Sequence, residues 1–549
     1  MIQNPILRGF CPDPSIIRAG EDYYIATSTF EWWPGVKLFH SRDLKHWEQI
    51  SSPLRRESQL NMIGDPASGG VWAPCLSYDG EYFYLVYTDV KTKKGRYYNT
   101  HNYMVYTDDI YGEWSEPLYL NSIGFDPSLF HDLDGKKYLV NMVNGFKGVL
   151  VQELVRTKEG EDVEAKGEKN MRQRPPISRQ RPRWKLSGER KKIYSGSGIG
   201  CTEGPHIYHI GQWYYLIVAE GGTGYDHCVT LARSESIWGP FETAPDNPIL
   251  TSDREDRLAL QKCGHADLVD TPLGEWYLTH LCSRPLSGQK WCTLGRESAI
   301  QKVYWDKEGW LKLAGGGRFA KVSVPEPGAG QSVCQKEPSL KTQEHLHIRD
   351  EFDGKNLPVY YTSPRVSYEE FADLAVRPGY LRLKGQESMN SLHHVSLIAV
   401  RQQTVCAQVK TCMEFKPDYP EQAGGLAYMY DAMNFYLLVK TADEKGQSVL
   451  TLLKSDGGVI TDEMEPVLVP YEDPLELKAK LSQDGCEVRF FFRVKEGIWQ
   501  QAGRAQSTQI VTDEHCRGFT GAHFGMYVHD MTGMSYYADF DYFEMDDGA

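Results

Sequence analysis

The sequence predicts an all-β chain of 549 residues, a five-bladed β-propeller followed by a β-sandwich, and three observations carry that reading. A short motif recurs five times in the N-terminal half, each time as a short strand, a Gly turn and an aromatic strand. The C-terminal part keeps alternating strands but loses the motif. Aromatic residues make up 12% of the chain and there are 51 glycines, which suits sheets joined by many tight turns.

The first copy is Cys11-Pro12-Asp13-Pro14-Ser15-Ile16-Ile17, with a turn at Gly20 and the strand from Tyr23 to Ser28. The others enter through Val71-Trp72-Ala73-Pro74-Cys75, Phe125-Asp126-Pro127-Ser128, Thr202-Glu203-Gly204-Pro205-His206 and Gly264-His265-Ala266-Asp267. Their turn glycines, at 20, 80, 135, 211 and 274, stand 60, 55, 76 and 63 residues apart. That spacing is long for a solenoid unit and fits a propeller blade with an elaborated loop. Radial packing brings the five entry strands round one axis, so Asp13, Asp126 and Glu203 converge there. Any one of these acids alone reads as a turn opener; three at equivalent positions point to chemistry.

Blade one closes on Ser41 to Trp47, and Phe30, Glu31, Trp32 and Trp33 read as an exposed aromatic cluster suited to stacking on sugar, with core filling the default reading for any single Trp. Blade two runs to about Leu120. Blade three is followed by an insertion at about 155–183, which overlaps a run from Met171 to Lys192 that holds nine Lys/Arg and one Glu. A polyanion contact and a solvated, unstructured loop both fit it; its charge and its prolines favour the loop. Blade four resumes near Lys185, and blade five closes near Trp310. The propeller is thus assigned residues 1–315, a Gly/Pro/Ser-containing linker 316–347, and the sandwich 348–549.

Net charge is −14, which argues against nucleic acid as partner. There is no 18-residue apolar run and no basic, apolar leader. Twelve cysteines without CxxC pairs read as free thiols of a cytoplasmic protein. HExxH, P-loop and nucleophile-elbow motifs are missing.

These stretches, with Ser28-Thr29-Phe30-Glu31-Trp32, Ala219 to Tyr225 and Leu294-Gly295-Arg296-Glu297, resemble glycoside hydrolase family 43, in particular its two-domain β-xylosidases. The resemblance implies an inverting mechanism, with Asp13 as general base, Glu203 as general acid and Asp126 as an orienting acid that raises the donor's pKa. It places Phe30, Trp72, Arg296, His265 and Thr223 around the substrate. Arg296 would bind sugar hydroxyls and Asp13 or Asp126, in preference to a surface pair with Glu297. No cofactor is required; in this family the histidine equivalent to His265 can hold a hydrated divalent cation, often calcium, through water. The expected activity is exo-release of xylose from β-1,4-xylo-oligosaccharides, with α-L-arabinofuranosidase or bifunctional action as the near alternative. A glycan-binding propeller without catalysis is the remote one. Where the family usually has a Trp-Asp loop in blade three, this chain reads Val143 to Lys147, which removes an expected wall on the leaving-group side. The sandwich is expected to close one side of the pocket, and a homodimer or tetramer is allowed.

Overall fold

The computed structural model describes residues 1–95, 97–157, 183–286, 288–329 and 346–546. Five antiparallel blades, four of four strands and the fourth of five, form the N-terminal domain; their first strands are Ser15–Ala19, Gly70–Tyr78, Ser128–His131, Glu203–Ile210 and Gln261–Asp270. These strands are neighbours around the axis. Their ties are polar: Ser15 Oγ and the Ile16 N–H both donate to Asp267, at 2.8 and 2.9 Å, and Ser128 Oγ donates to the Pro205 carbonyl at 2.5 Å. The turn glycines 20, 80, 135, 211 and 274 all have φ between 62° and 94°, and a Cβ on any of them would meet nothing within 4 Å. They are selected by backbone conformation alone.

The ring closes through the N-terminus. Ile2–Gln3 pairs with Ser323–Val324, and the Asn4 side chain bonds to Ile300 and to the Lys321 carbonyl. The chain therefore stays on the propeller through Val324, past the composition break near 315.

Blade three differs from its sequence reading. Trp184–Tyr194 pairs with Val149–Arg156 as the outer strand of that blade, so blade four begins only at Glu203. The Lys/Arg run from 185 to 192 gave no strand signal because most of this rim strand faces solvent on both sides. Of the insertion at about 155–183, residues 158–182 lie outside the described residues. Its flanks belong to the hairpin, with Thr157 N–H donating to Arg183 O at 2.8 Å.

The sandwich stacks an eight-stranded sheet on a seven-stranded one. Leu475–Leu481 alternates strictly, its leucines and alanine inward, as a sheet solvated on one face should. Gln422–Asp431 is buried at every position. The reason is that its sheet is covered twice. Tyr428, Leu438 and Phe524 face the partner sheet, while Ala427, Leu437 and Tyr527 pack on Phe10, Phe30, Trp32 and Trp72 of the propeller. Trp32 is 0% exposed and stacks on His523 of the sandwich at 3.8 Å; Trp33 packs inside the propeller beside Leu54 and Met62. The expected sugar-stacking cluster is thus interface and core, with Phe30 alone reaching the pocket.

The two domains approach closely at Gly295, where φ is +70° and a Cβ would lie 1.9 Å from the Thr520 carbonyl oxygen. Gly274, at φ +75°, has open space around it. Gly274→Ala should cost only the left-handed strain of an L residue, about 1 kcal/mol. Gly295→Ala must also push the sandwich away, and its melting temperature should fall by several degrees more than that of Gly274→Ala. Equal melting temperatures in calorimetry would show that the approach of Thr520 is not a constraint.

Candidate active site

Every blade enters through one residue in the left-handed region. These are Asp13 (φ 54°), Ala73 (28°), Asp126 (52°), Gly204 (54°) and His265 (47°). Four of the five precede a proline, at 14, 74, 127 and 205. A left-handed non-Gly residue costs roughly 1–3 kcal/mol, and such strain collects at functional sites. In register, Gly204 and not Glu203 is the partner of Asp13 and Asp126. Glu203 stands one residue earlier, and the shared Pro that follows each entry residue is the sequence signal that reveals the offset.

The five turns and their neighbours surround one pocket, lined by Asp13, Phe30, Trp72, Ala73, Phe125, Asp126, Glu203, Thr223, His265, Arg296 and Phe519. All eight residues expected at the site are brought together there. Phe125, Ala73 and Phe519 are additions. Phe125 directly precedes Asp126 and could have been found from that; Phe519 comes from the sandwich, and nothing near it in sequence marks it.

The cavity holds about 50 Å³. At roughly 10–15 Å³ per ordered water it takes a few waters, or one small ring in their place. Its walls are aromatic. Trp72 meets Phe125 edge-on at 5.2 Å and Phe519 at 5.7 Å, and its indole N–H donates to Ser68 O. Phe146, from the altered blade-three loop, meets Phe125 edge-on at 6.2 Å and is 38% exposed. The loop therefore still sets an aromatic ring next to a pocket residue. The Lys93 ammonium lies over the Phe519 ring at 4.6 Å, and burial brings its pKa down to about 8.

The three acids sit in different surroundings. Asp13 Oδ2 accepts from Ser28 Oγ at 2.6 Å, and Oδ1 accepts from Arg296 Nη1 at 3.2 Å. Burial would raise this carboxyl, but Arg296, His265 and Ser28 outweigh it and hold Asp13 below the usual range. Asp126 Oδ2 accepts from the Gly204 N–H at 3.0 Å, which ties it to the segment carrying Glu203. Burial and the charge of Asp13 push Asp126 up to about 7. Burial, then the charges of Asp126 and Asp13, carry Glu203 well above the ordinary carboxyl value.

Arg296 is locked from all sides. It donates to Thr223 Oγ1 at 2.9 Å and to the Phe519 carbonyl at 3.1 and 3.3 Å, and its guanidinium lies 5.3 and 5.2 Å from the Phe30 and Phe519 rings. Glu297 turns the other way, into a two-bond pair with Arg284. His265 Nδ1 is 3.8 Å from Asp13 Oδ1, and its ring lies against Gly204, where a Cβ would stand 3.0 Å from it.

Calcium wants several hard oxygen ligands, and the donor set near His265 does not offer them. Asp13 is engaged by Arg296 and Ser28, and Asp267 by Ser15, Ile16 and Tyr208. Among the described residues no three His, Cys, Asp or Glu side chains are grouped to hold a metal ion. A hydrated cation would have to be held through water from His265.

Comparison with known proteins agrees with this geometry. Residues 2–311 match the family model for glycosyl hydrolases family 43, and residues 349–546 match the beta xylosidase C-terminal concanavalin A-like domain. The chain is 40% identical to the beta-xylosidase of Bacillus subtilis, over 99% of both chains. It is 41% identical to the xylosidase/arabinosidase 43B of Humicola insolens, over 99% of this chain and 97% of that one. The crystal structure of a xylan beta-1,4-xylosidase from Bacillus halodurans superposes with a TM-score of 0.89 at 44% identity, covering 100% of both chains. With both domains matched end to end and three acids gathered in a pocket of one-ring size, the chain belongs to glycosyl hydrolase family 43.

Proposed function

We propose that this glycoside hydrolase is an exo-acting, inverting β-D-xylosidase that removes xylose from the non-reducing end of β-1,4-xylo-oligosaccharides. The observation that carries the reading is the opposite setting of two carboxyls in one narrow pocket: Asp13 accepts hydrogen bonds from Ser28 and Arg296, which favour its ionised form, whereas Glu203 has no donor among the described residues and lies with Asp126 and Asp13, whose charges add to burial in raising it. Asp13 takes a proton from water as that water attacks the anomeric carbon. Glu203 gives its proton to the glycosidic oxygen on the other face, and the carbon–oxygen bond breaks. Asp126 keeps Glu203 protonated by like charge and fixes its backbone through Gly204. Arg296, anchored on Asp13, Thr223 and Phe519, has one N–H left to offer to a sugar hydroxyl. One ring fills the pocket; Phe125 and Phe146 form an apolar edge for the next unit. The two activities named for the Humicola relative support testing a second substrate, the α-L-arabinofuranoside, on the same site.

Three measurements test this. Glu203→Gln should cut kcat/KM on xylobiose by about 10²–10⁴-fold, while sparing aryl xylosides with acidic phenol leaving groups far better, in parallel assays with nitrophenyl xyloside and arabinofuranoside. Equal losses on both kinds of leaving group would remove Glu203 from the acid role. Proton NMR of fresh product should show α-xylose first; early β-xylose would rule out inversion. The pH profile of kcat/KM should be a bell with its acid limb set by Asp13 and its alkaline limb by Glu203. Asp126→Asn removes a negative neighbour, so ionisation becomes easier and the alkaline limb should move to lower pH. A limb that stays or rises would contradict the like-charge role of Asp126.

A further inference from the structure

Of the three pocket acids, Glu203 alone lacks a hydrogen-bond donor among the described residues. Asp13 has Ser28 and Arg296, and Asp126 has the Gly204 N–H; each of these favours the ionised form. What faces Glu203 is a histidine behind the pocket wall. His227 is fully buried, and its Nε2 lies 4.0 Å from Glu203 Oε1. Nε2 has no hydrogen-bond partner.

The tautomer follows from the other ring nitrogen. His227 Nδ1 stands 3.2 Å from the Lys262 carbonyl oxygen, which can only accept, so Nδ1 carries the hydrogen. In the neutral ring Nε2 is then a bare lone pair. Burial, with the charges of His265 and Arg296 against that of Asp13, brings the ring's pKa down to about 3, so it is neutral at any working pH. Lys262 does not reach the ring with its ammonium, which is paired with Asp513 at 3.2 Å and Glu514 at 2.6 Å. The ring lies against Gly264, where a Cβ would stand 2.4 Å from three of its atoms.

We propose that His227 is a positioning residue for the general acid, its Nε2 accepting the Glu203 carboxyl hydrogen between turnovers and holding that group protonated until a leaving oxygen takes the hydrogen instead. The inference rests on Glu203 being the acid. A gap of 4.0 Å is too long for a hydrogen bond, and about 1 Å of rotation in the Glu203 side chain closes it. A lone pair favours O–H and disfavours carboxylate, so it acts in the same direction as the two neighbouring acids. No proton passes to the histidine. It remains neutral, and the hydrogen goes from Glu203 to the glycosidic oxygen.

His227→Phe keeps a flat ring over Gly264 and removes the lone pair. His227→Gln can present an amide N–H, which favours carboxylate instead. In both, the alkaline limb of kcat/KM on xylobiose should move down by about one pH unit, a tenfold loss above the limb. Dinitrophenyl xyloside, which needs no proton donor, should be turned over within about twofold of the parent. If the Phe variant does not fold, the Gln variant is read in the same way, with its melting curve recorded alongside. An unmoved limb in a folded variant, or equal losses on both substrates, overturns the proposal. Glu203→Gln in the same assays separates the two failures. If it is leaving-group selective and the His227 variants are not, only the role of His227 falls; if it is not selective, the acid assignment falls and His227 with it.

Discussion

Everything at the site depends on the burial of the seven-stranded sandwich sheet on both faces. One face makes the sandwich core; the other covers the mouth side of the propeller through Phe10, Phe30, Trp32 and Trp72. The wall of the pocket and the domain interface are therefore one aromatic cluster. Phe519 shows what this achieves. Its ring closes the pocket, its carbonyl fixes Arg296, and its N–H bonds to Ser68, whose carbonyl holds Trp72. A domain that gives no acid to the pocket thus sets the position of the cation that holds Asp13 below its ordinary range. Arg296 is costly to bury, and its cost is offset only while both domains are in place.

The same packing sorts the three acids. Burial alone would push all three carboxyls up. Asp13 escapes because a guanidinium, a hydroxyl and His265 are fixed around it. Glu203 does not escape, since it faces two acids and a lone pair. The pocket so favours a proton on Glu203 and disfavours one on Asp13. The left-handed turns at Asp13, Asp126 and His265 are the local cost of bringing side chains from separate blades to one point.

Much of this was legible in the sequence where the cause is local. The five turn glycines carry positive φ because a tight hairpin requires it, and that requirement marks the sequence directly. The three acids stand out because the propeller repeats its entry. What escaped is long-range. Trp32 and Trp33 look alike in the sequence and both pair through their backbone with Ser363–Pro364, yet the Trp32 ring stacks on His523 of the sandwich while the Trp33 ring packs inside the propeller. Phe519 reaches Ser68 across 451 residues of chain, and no periodicity encodes such a contact. The strand at Trp184–Tyr194 was hidden because a rim strand with a mostly solvated surface has no apolar alternation to show. Glu203 was placed in the wrong register by one residue, because it was matched by charge and not by the proline after it.

Constraint in this fold accordingly falls off with distance from the axis. First strands bear the turns, the acids and the inter-blade hydrogen bonds, and a change there moves a reacting group. Outer strands pair along one edge only, so blade three can carry a basic rim strand at Trp184–Tyr194 away from the pocket. Specificity has to arise between these zones. The loop from Val143 to Lys147 is such a place: it sits at the end of an inner hairpin, its Phe146 half in solvent and half against Phe125. A ring there can favour or reject the second sugar without touching the acids, so the preference of the enzyme for its leaving group can drift while its chemistry stays fixed.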